Sequence, residues 1–140
     1  MQKIDFYILQ DETPKADWRF MCRLIEKAYE LGHQIYVHCA NEQDAIAFDE
    51  LLWEFNSTSF IPHHLQGEGP EPPPPVQIGF QNTCKSRDIC VNLAHEVPEF
   101  YQQFKRICEV VSPHEEDKQI KREHYKFYQS QQLTIHNHKI

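Results

Sequence analysis

The chain has 140 residues, 40% of them hydrophobic and 12% aromatic, which is the size of one domain able to bury a sizeable core. Its 21 acidic residues outweigh 14 basic ones, for a formal charge of -7. That balance excludes a protein whose whole surface grips nucleic acid by counterion release, so any basic site must be local.

The opening run "KIDFYIL" places Ile4, Phe6, Tyr7, Ile8 and Leu9 close together and predicts a strand buried on both faces, central in its sheet. In "DETPKADWRFMCRLIEKAYELG", Thr13 reads as an N-cap and Pro14 as the first helical residue. Apolar positions from Phe20 to Leu31 then form one face before Gly32 stops the helix. "QIYVHCA" is a second buried strand. "NEQDAIAFDELLWEF" is a second helix, capped by Asn41 and carrying acids in its early turns, where they suit the dipole.

After the proline-rich loop "SFIPHHLQGEGPEPPPPVQI", the short runs "VQIGF" and "DICVNL" suit strands. "EVPEFYQQFKRICEVV" reads as a turn of helix followed by a strand, and "HEEDKQIKREHYKFYQSQ" as a final helix with acids first and bases later. Residues 133–140 read as a tail. Strand and helix in alternation define an α/β domain with a largely parallel sheet.

The first strand-to-helix loop, "QDETPKAD", has no glycine and three carboxylates, and no phosphate-loop motif occurs. Nucleotide chemistry is therefore disfavoured. Gly67 and Gly69 precede prolines, suiting a sharp reversal rather than a phosphate cradle.

No metal-ligand spacing accompanies His63, His64, His136 or His138. His38 and Cys39 are neighbours on one strand and so point to opposite faces, which favours packing over a nucleophilic pair. The acids Asp44, Asp49, Glu50 and Glu54 read as a solvated helix face.

The five cysteines (22, 39, 84, 90 and 108) form no close-spaced framework, and no apolar leader follows Met1. This reads as a cytosolic chain with reduced thiols. No run approaches the roughly 18 apolar residues of a membrane span.

On the last helix, Lys118, Arg122 and Tyr125 fall at i, i+4 and i+7 and share a face, with Lys121 and Lys126 at its margins. Such a basic, aromatic stripe suits a carboxylate or an acidic peptide; a solvated face that complements the helix dipole is the plainer alternative. Trp53, Phe55, Phe60, Ile61 and Pro62 flank "NSTS" and are either core or interface anchors.

"FYIL", "DELLW" followed by "SFIPHHLQGEGP" and "PVQI", then "RDICVNL" and "REHYKFY", in this order, resemble the chi subunit family of the bacterial DNA polymerase III holoenzyme from about Phe6 to Tyr128. The resemblance implies an α/β fold, Rossmann-like in outline but without a phosphate-binding loop, over residues 1–132. It implies no catalytic activity and no cofactor.

The implied role is that of an accessory subunit of the clamp-loader assembly. It would bridge the psi subunit and the acidic C-terminal tail of single-stranded-DNA-binding protein. Position by position, the implied tail-binding residues are Lys118, Arg122, Tyr125 and Val111, and Trp53, Phe60 and Pro62 would face psi. The alternatives are an α/β enzyme using the His63-His64 loop and a direct single-stranded nucleic-acid binder acting through the basic helix.

Overall fold

The computed structural model describes residues 2–55, 62–65, 75–81 and 88–140, and of residue 64 the backbone alone. Phe60, Gly67, Gly69, Cys84 and the stretch 71–74 lie outside the described residues. The elements are β1 (Lys3–Ile8), α1 (Ala16–Glu30), β2 (Ile35–His38), α2 (Glu42–Phe55), β3 (His63–Leu65), β4 (Val76–Gly79), β5 (Ile89–Asn92), a 3-10 turn (Tyr101–Gln103), β6 (Arg106–Val111), α3 (Glu115–Ser130) and β7 (Thr134–Lys139).

The described strands form one seven-stranded sheet in the order β3-β4-β2-β5-β6-β1-β7, and every ladder is parallel. The α/β class and parallel sheet are as the sequence implies. β1 is flanked on both sides but lies one place from the sheet's end rather than at its centre.

Because side chains alternate along a strand, each strand feeds two cores. Tyr7, Val37, Val91 and Val110 face one way and pack with Met21 and Ile25 of α1 and Phe48 of α2. Ile4, Phe6, Tyr36, Cys90 and Ile107 face the other way, toward the 3-10 turn and Tyr128 of α3. His38 and Cys39 follow the same alternation. Cys39 is in the α1 and α2 layer, where burial pushes its thiol up to about 12, and His38 packs on Phe100 across the sheet. The cysteines at 22, 39, 90 and 108 are all buried free thiols.

Two local readings change. Thr13 does not cap α1: the Asp11 carboxylate accepts from its N–H at 2.9 Å and from its hydroxyl at 2.6 Å. Thr13 and Pro14 thus belong to a preceding turn. Lys15, at φ 62, completes the turn, and the helix begins at Ala16. Asn41 does cap α2, its Oδ1 accepting the Asp44 N–H at 2.8 Å.

The second change is at the C-terminus. Residues 134–139 are not a tail but an edge strand, paired in parallel along the whole of β1. "TIHNHK" carries no apolar alternation because most of its side chains are exposed. Its pairing rests on backbone hydrogen bonds and was invisible to periodicity.

Phe48 is fully buried and meets the Trp18 ring edge to face at 5.5 Å. Phe48→Ala is expected to cost about 3–5 kcal/mol, through lost burial and the cavity left between α1 and α2. Equilibrium urea unfolding checks this.

Candidate functional site

The last helix is placed by its start. Asp117, in its first turn, reaches back to accept the Ser112 N–H at 2.7 Å, and Glu115, Glu116 and Asp117 together complement the helix dipole. With α3 so docked, Lys118, Arg122 and Tyr125 meet Val111 from the end of β6 around one pocket of about 320 Å³. Phe6 and Ile8 of β1, Lys121, and Asn137 of β7 complete its lining.

Tyr125 is half-buried, its ring 5.4 Å from that of Phe6, so the aromatic wall is braced from the sheet. Lys118 is 3.8 Å from Glu115, an exposed pair of little energetic weight. Arg122 is exposed and, among the described residues, has no carboxylate within ion-pairing distance. The pocket thus combines an apolar floor with cations at its mouth, a receptor for an aromatic group carrying a carboxylate.

Behind the pocket lies a cluster that sequence reasoning missed. Glu109, in the middle of β6, is completely buried. Its carboxylate accepts from Lys121 Nζ at 3.0 Å, His124 Nδ1 at 3.1 Å, Tyr128 Oη at 2.6 Å and Asn92 Nδ2 at 2.9 Å. Burial by itself raises the Glu109 carboxyl, but Lys121, His124 and Tyr128 hold it down, at about 2. His124 Nε2 lies 2.9 Å from the His95 carbonyl, so both ring nitrogens face acceptors. Such a ring must donate twice and is the imidazolium.

Burial opposes that charge, yet Glu109 and the His95 carbonyl raise His124 above its ordinary value. Lys121, His124 and Glu109 together leave a net positive charge beneath the pocket. The available signal was a lone acid in the apolar run "RICEVV", read there simply as strand.

The other predicted residues lie toward the opposite end of the sheet. Trp53 projects from α2 with 45% of its surface exposed, its ring 4.1 Å from that of His63 on edge strand β3. Pro62, just before β3, is half-buried. His63 itself is buried, 3.3 Å from the Asp49 carboxylate, and so belongs to packing around Trp53. Among the described residues no group of three or more His, Cys, Asp or Glu is arranged to hold a metal ion, and no helix is long and apolar enough to cross a membrane.

The structure is a parallel α/β domain with a basic, aromatic pocket on its last helix. Comparison with known proteins makes this specific. Residues 1–136 match the family described as DNA polymerase III chi subunit, HolC. The chain is 35% identical over 140 residues to the DNA polymerase III subunit chi of Pseudomonas aeruginosa, covering 100% of this chain and 98% of that one. It is 31% identical to the subunits chi of Escherichia coli, with 91% of each chain covered, and of Haemophilus influenzae, with 86% and 85% covered. The chain belongs to the DNA polymerase III chi subunit family, a family of accessory replication subunits not themselves catalytic.

The cluster predicts a two-sided pH dependence of stability. Glu109 has a lowered value in the fold, so its contribution is present above its ordinary 4.5 and is lost as pH falls toward about 2. His124 has a raised value, so its contribution is complete below its ordinary 6.5 and is lost as pH rises through the folded value. Urea midpoints measured against pH are expected to be highest between about 4.5 and about 6.5 for these two groups, with the alkaline decline reduced in His124→Gln.

Proposed function

We propose that the chain is a non-catalytic adaptor of the clamp-loader assembly of DNA polymerase III. One surface holds the acidic C-terminal tail of single-stranded-DNA-binding protein and the other the psi subunit, coupling the polymerase to coated template during replication. The observation that carries this reading is the convergence of Lys118, Arg122, Tyr125 and Val111 on one pocket, three of them picked out by helical spacing.

The chemistry fits the ligand. A tail that ends in an aromatic residue and a free carboxylate needs a cation and an apolar wall side by side. Arg122 and Lys118 supply the cations, and Tyr125, Val111 and Phe6 the wall. The net positive cluster under Lys121 deepens the attraction, and acidic residues further along the tail suit a local basic patch on a chain of charge -7. Trp53 and Pro62 lie toward the other end of the sheet, so two partners reach the domain without competing for space. Phe60, the third residue of that surface, lies outside the described residues.

Two measurements test the two surfaces. A fluorescent peptide ending in the acidic tail is expected to bind the wild type, to bind Arg122→Ala about 10- to 100-fold more weakly, and to lose affinity as salt rises. Equal affinity in the variant, or binding indifferent to salt, sinks the tail reading. Trp53→Ala is expected to abolish copurification with psi while tail binding is unchanged, since an exposed aromatic anchor acts at its own interface. Psi retained at full stoichiometry by that variant overturns the second surface.

A further inference from the structure

Among the described residues the sheet ends beside the pocket in an unpaired edge, β7. β1 turns its odd-numbered residues toward β6, with the Lys3 N–H donating to Lys105 O and the Leu9 N–H to Val111 O, each at 2.9 Å. Its even-numbered residues turn toward β7, where the Ile8 carbonyl accepts the Ile140 N–H at 3.0 Å. In a parallel ladder both backbone groups of one residue point to the same side. Ile135, Asn137 and Lys139 therefore direct their N–H and C=O groups away from β1. Among the described residues no strand lies beyond β7. Such a row is a template for another extended chain.

The side chains flanking this edge are basic on both faces of the sheet. On the α3 face, Asn137 lines the pocket that holds Lys118 and Arg122. On the α1 face, its neighbour His138 lines a second groove of about 430 Å³, with Arg23 and Lys27 among its lining residues. The groove is walled by Tyr7, on which the His138 ring stacks at 4.8 Å, and by Phe20, 5.9 Å from the Arg23 guanidinium. The acid beneath it, Asp5, is buried and already engaged by Arg106 at 2.6 Å and His138 at 2.8 Å.

We infer that β7 receives an extended acidic peptide as an added strand, with alternate acidic side chains falling into the two grooves. This deepens the tail-binding reading and rests on it: the α3 pocket takes the terminal aromatic residue and carboxylate, and the residues before them run along β7. Charge selects this occupant over a second copy of the chain, because edge-to-edge pairing of two β7 strands brings basic faces together.

The test uses the full chain, labelled with ¹⁵N, and a synthetic acidic peptide of about ten residues ending in phenylalanine with a free carboxylate. On saturation, the amides of Ile135, Asn137 and Lys139 are expected to exchange at least about tenfold more slowly, while the even-numbered amides of β7 change little. Methylating alternate backbone nitrogens of the peptide is expected to weaken binding about tenfold, and methylating the intervening ones to leave it unchanged. The double variant Arg23→Glu, Lys27→Glu, across the sheet from Arg122, is expected to weaken binding as well.

Peptide binding that depends on Arg122 but alters neither the three amides nor the response to methylation overturns the added strand and leaves the pocket reading intact. A wild type that binds no peptide, or binds it independently of Arg122, overturns both. Protection of the same three amides by self-association without peptide overturns the proposal in favour of a second copy.

Discussion

Glu109 carries a negative charge into the middle of a buried strand, and the way that charge is neutralised determines how the last helix sits. Lys121, His124 and Tyr128 come from successive turns of α3 and Asn92 from β5, so one carboxylate ties two strands and a helix together. A buried ion pair adds little net stability over an apolar replacement, but stranding one member is costly. The cluster therefore penalises any seating of α3 that takes Lys121 or His124 away from Glu109. That seating brings Lys118, Arg122 and Tyr125 over Phe6, Ile8 and Val111.

The sheet order gives this arrangement its reach. β3, with Trp53 and His63 beside it, lies at one edge, and β1 and β7 lie at the other. The Trp53 surface and the α3 pocket thus stand at opposite edges of the sheet. In the loop after β1, Asp11 spends its carboxylate on holding Thr13 in a turn.

Some features were legible in local sequence for clear reasons. β1, β2, β4, β5 and β6 are short apolar runs because the parallel sheet is covered on both faces. Asn41 was readable as a cap because capping depends on a contact three residues away. The Thr13 reading failed within the same short range because Thr13 donates both its N–H and its hydroxyl to Asp11, which holds it in the turn before the helix. β7 was missed because an edge strand exposed on both faces has no period of burial for a pattern to express. Glu109 was passed over because an acid in a strand has no meaning until its partners from another element are known.

The sequence by itself determined the class of fold, most of the elements, the family through its quoted motifs, and the shared face of Lys118, Arg122 and Tyr125, since all of these depend on near neighbours or on order along the chain. Only the tertiary structure decided that this face closes on Val111, Phe6 and Asn137 to make a pocket, that Glu109 anchors the helix behind it, and that residues 134–139 pair with β1 as a strand beside it. These features join residues from β1, β6, α3 and β7, far apart along the chain, and nothing short of packing the sheet brings them within a few ångströms of one another.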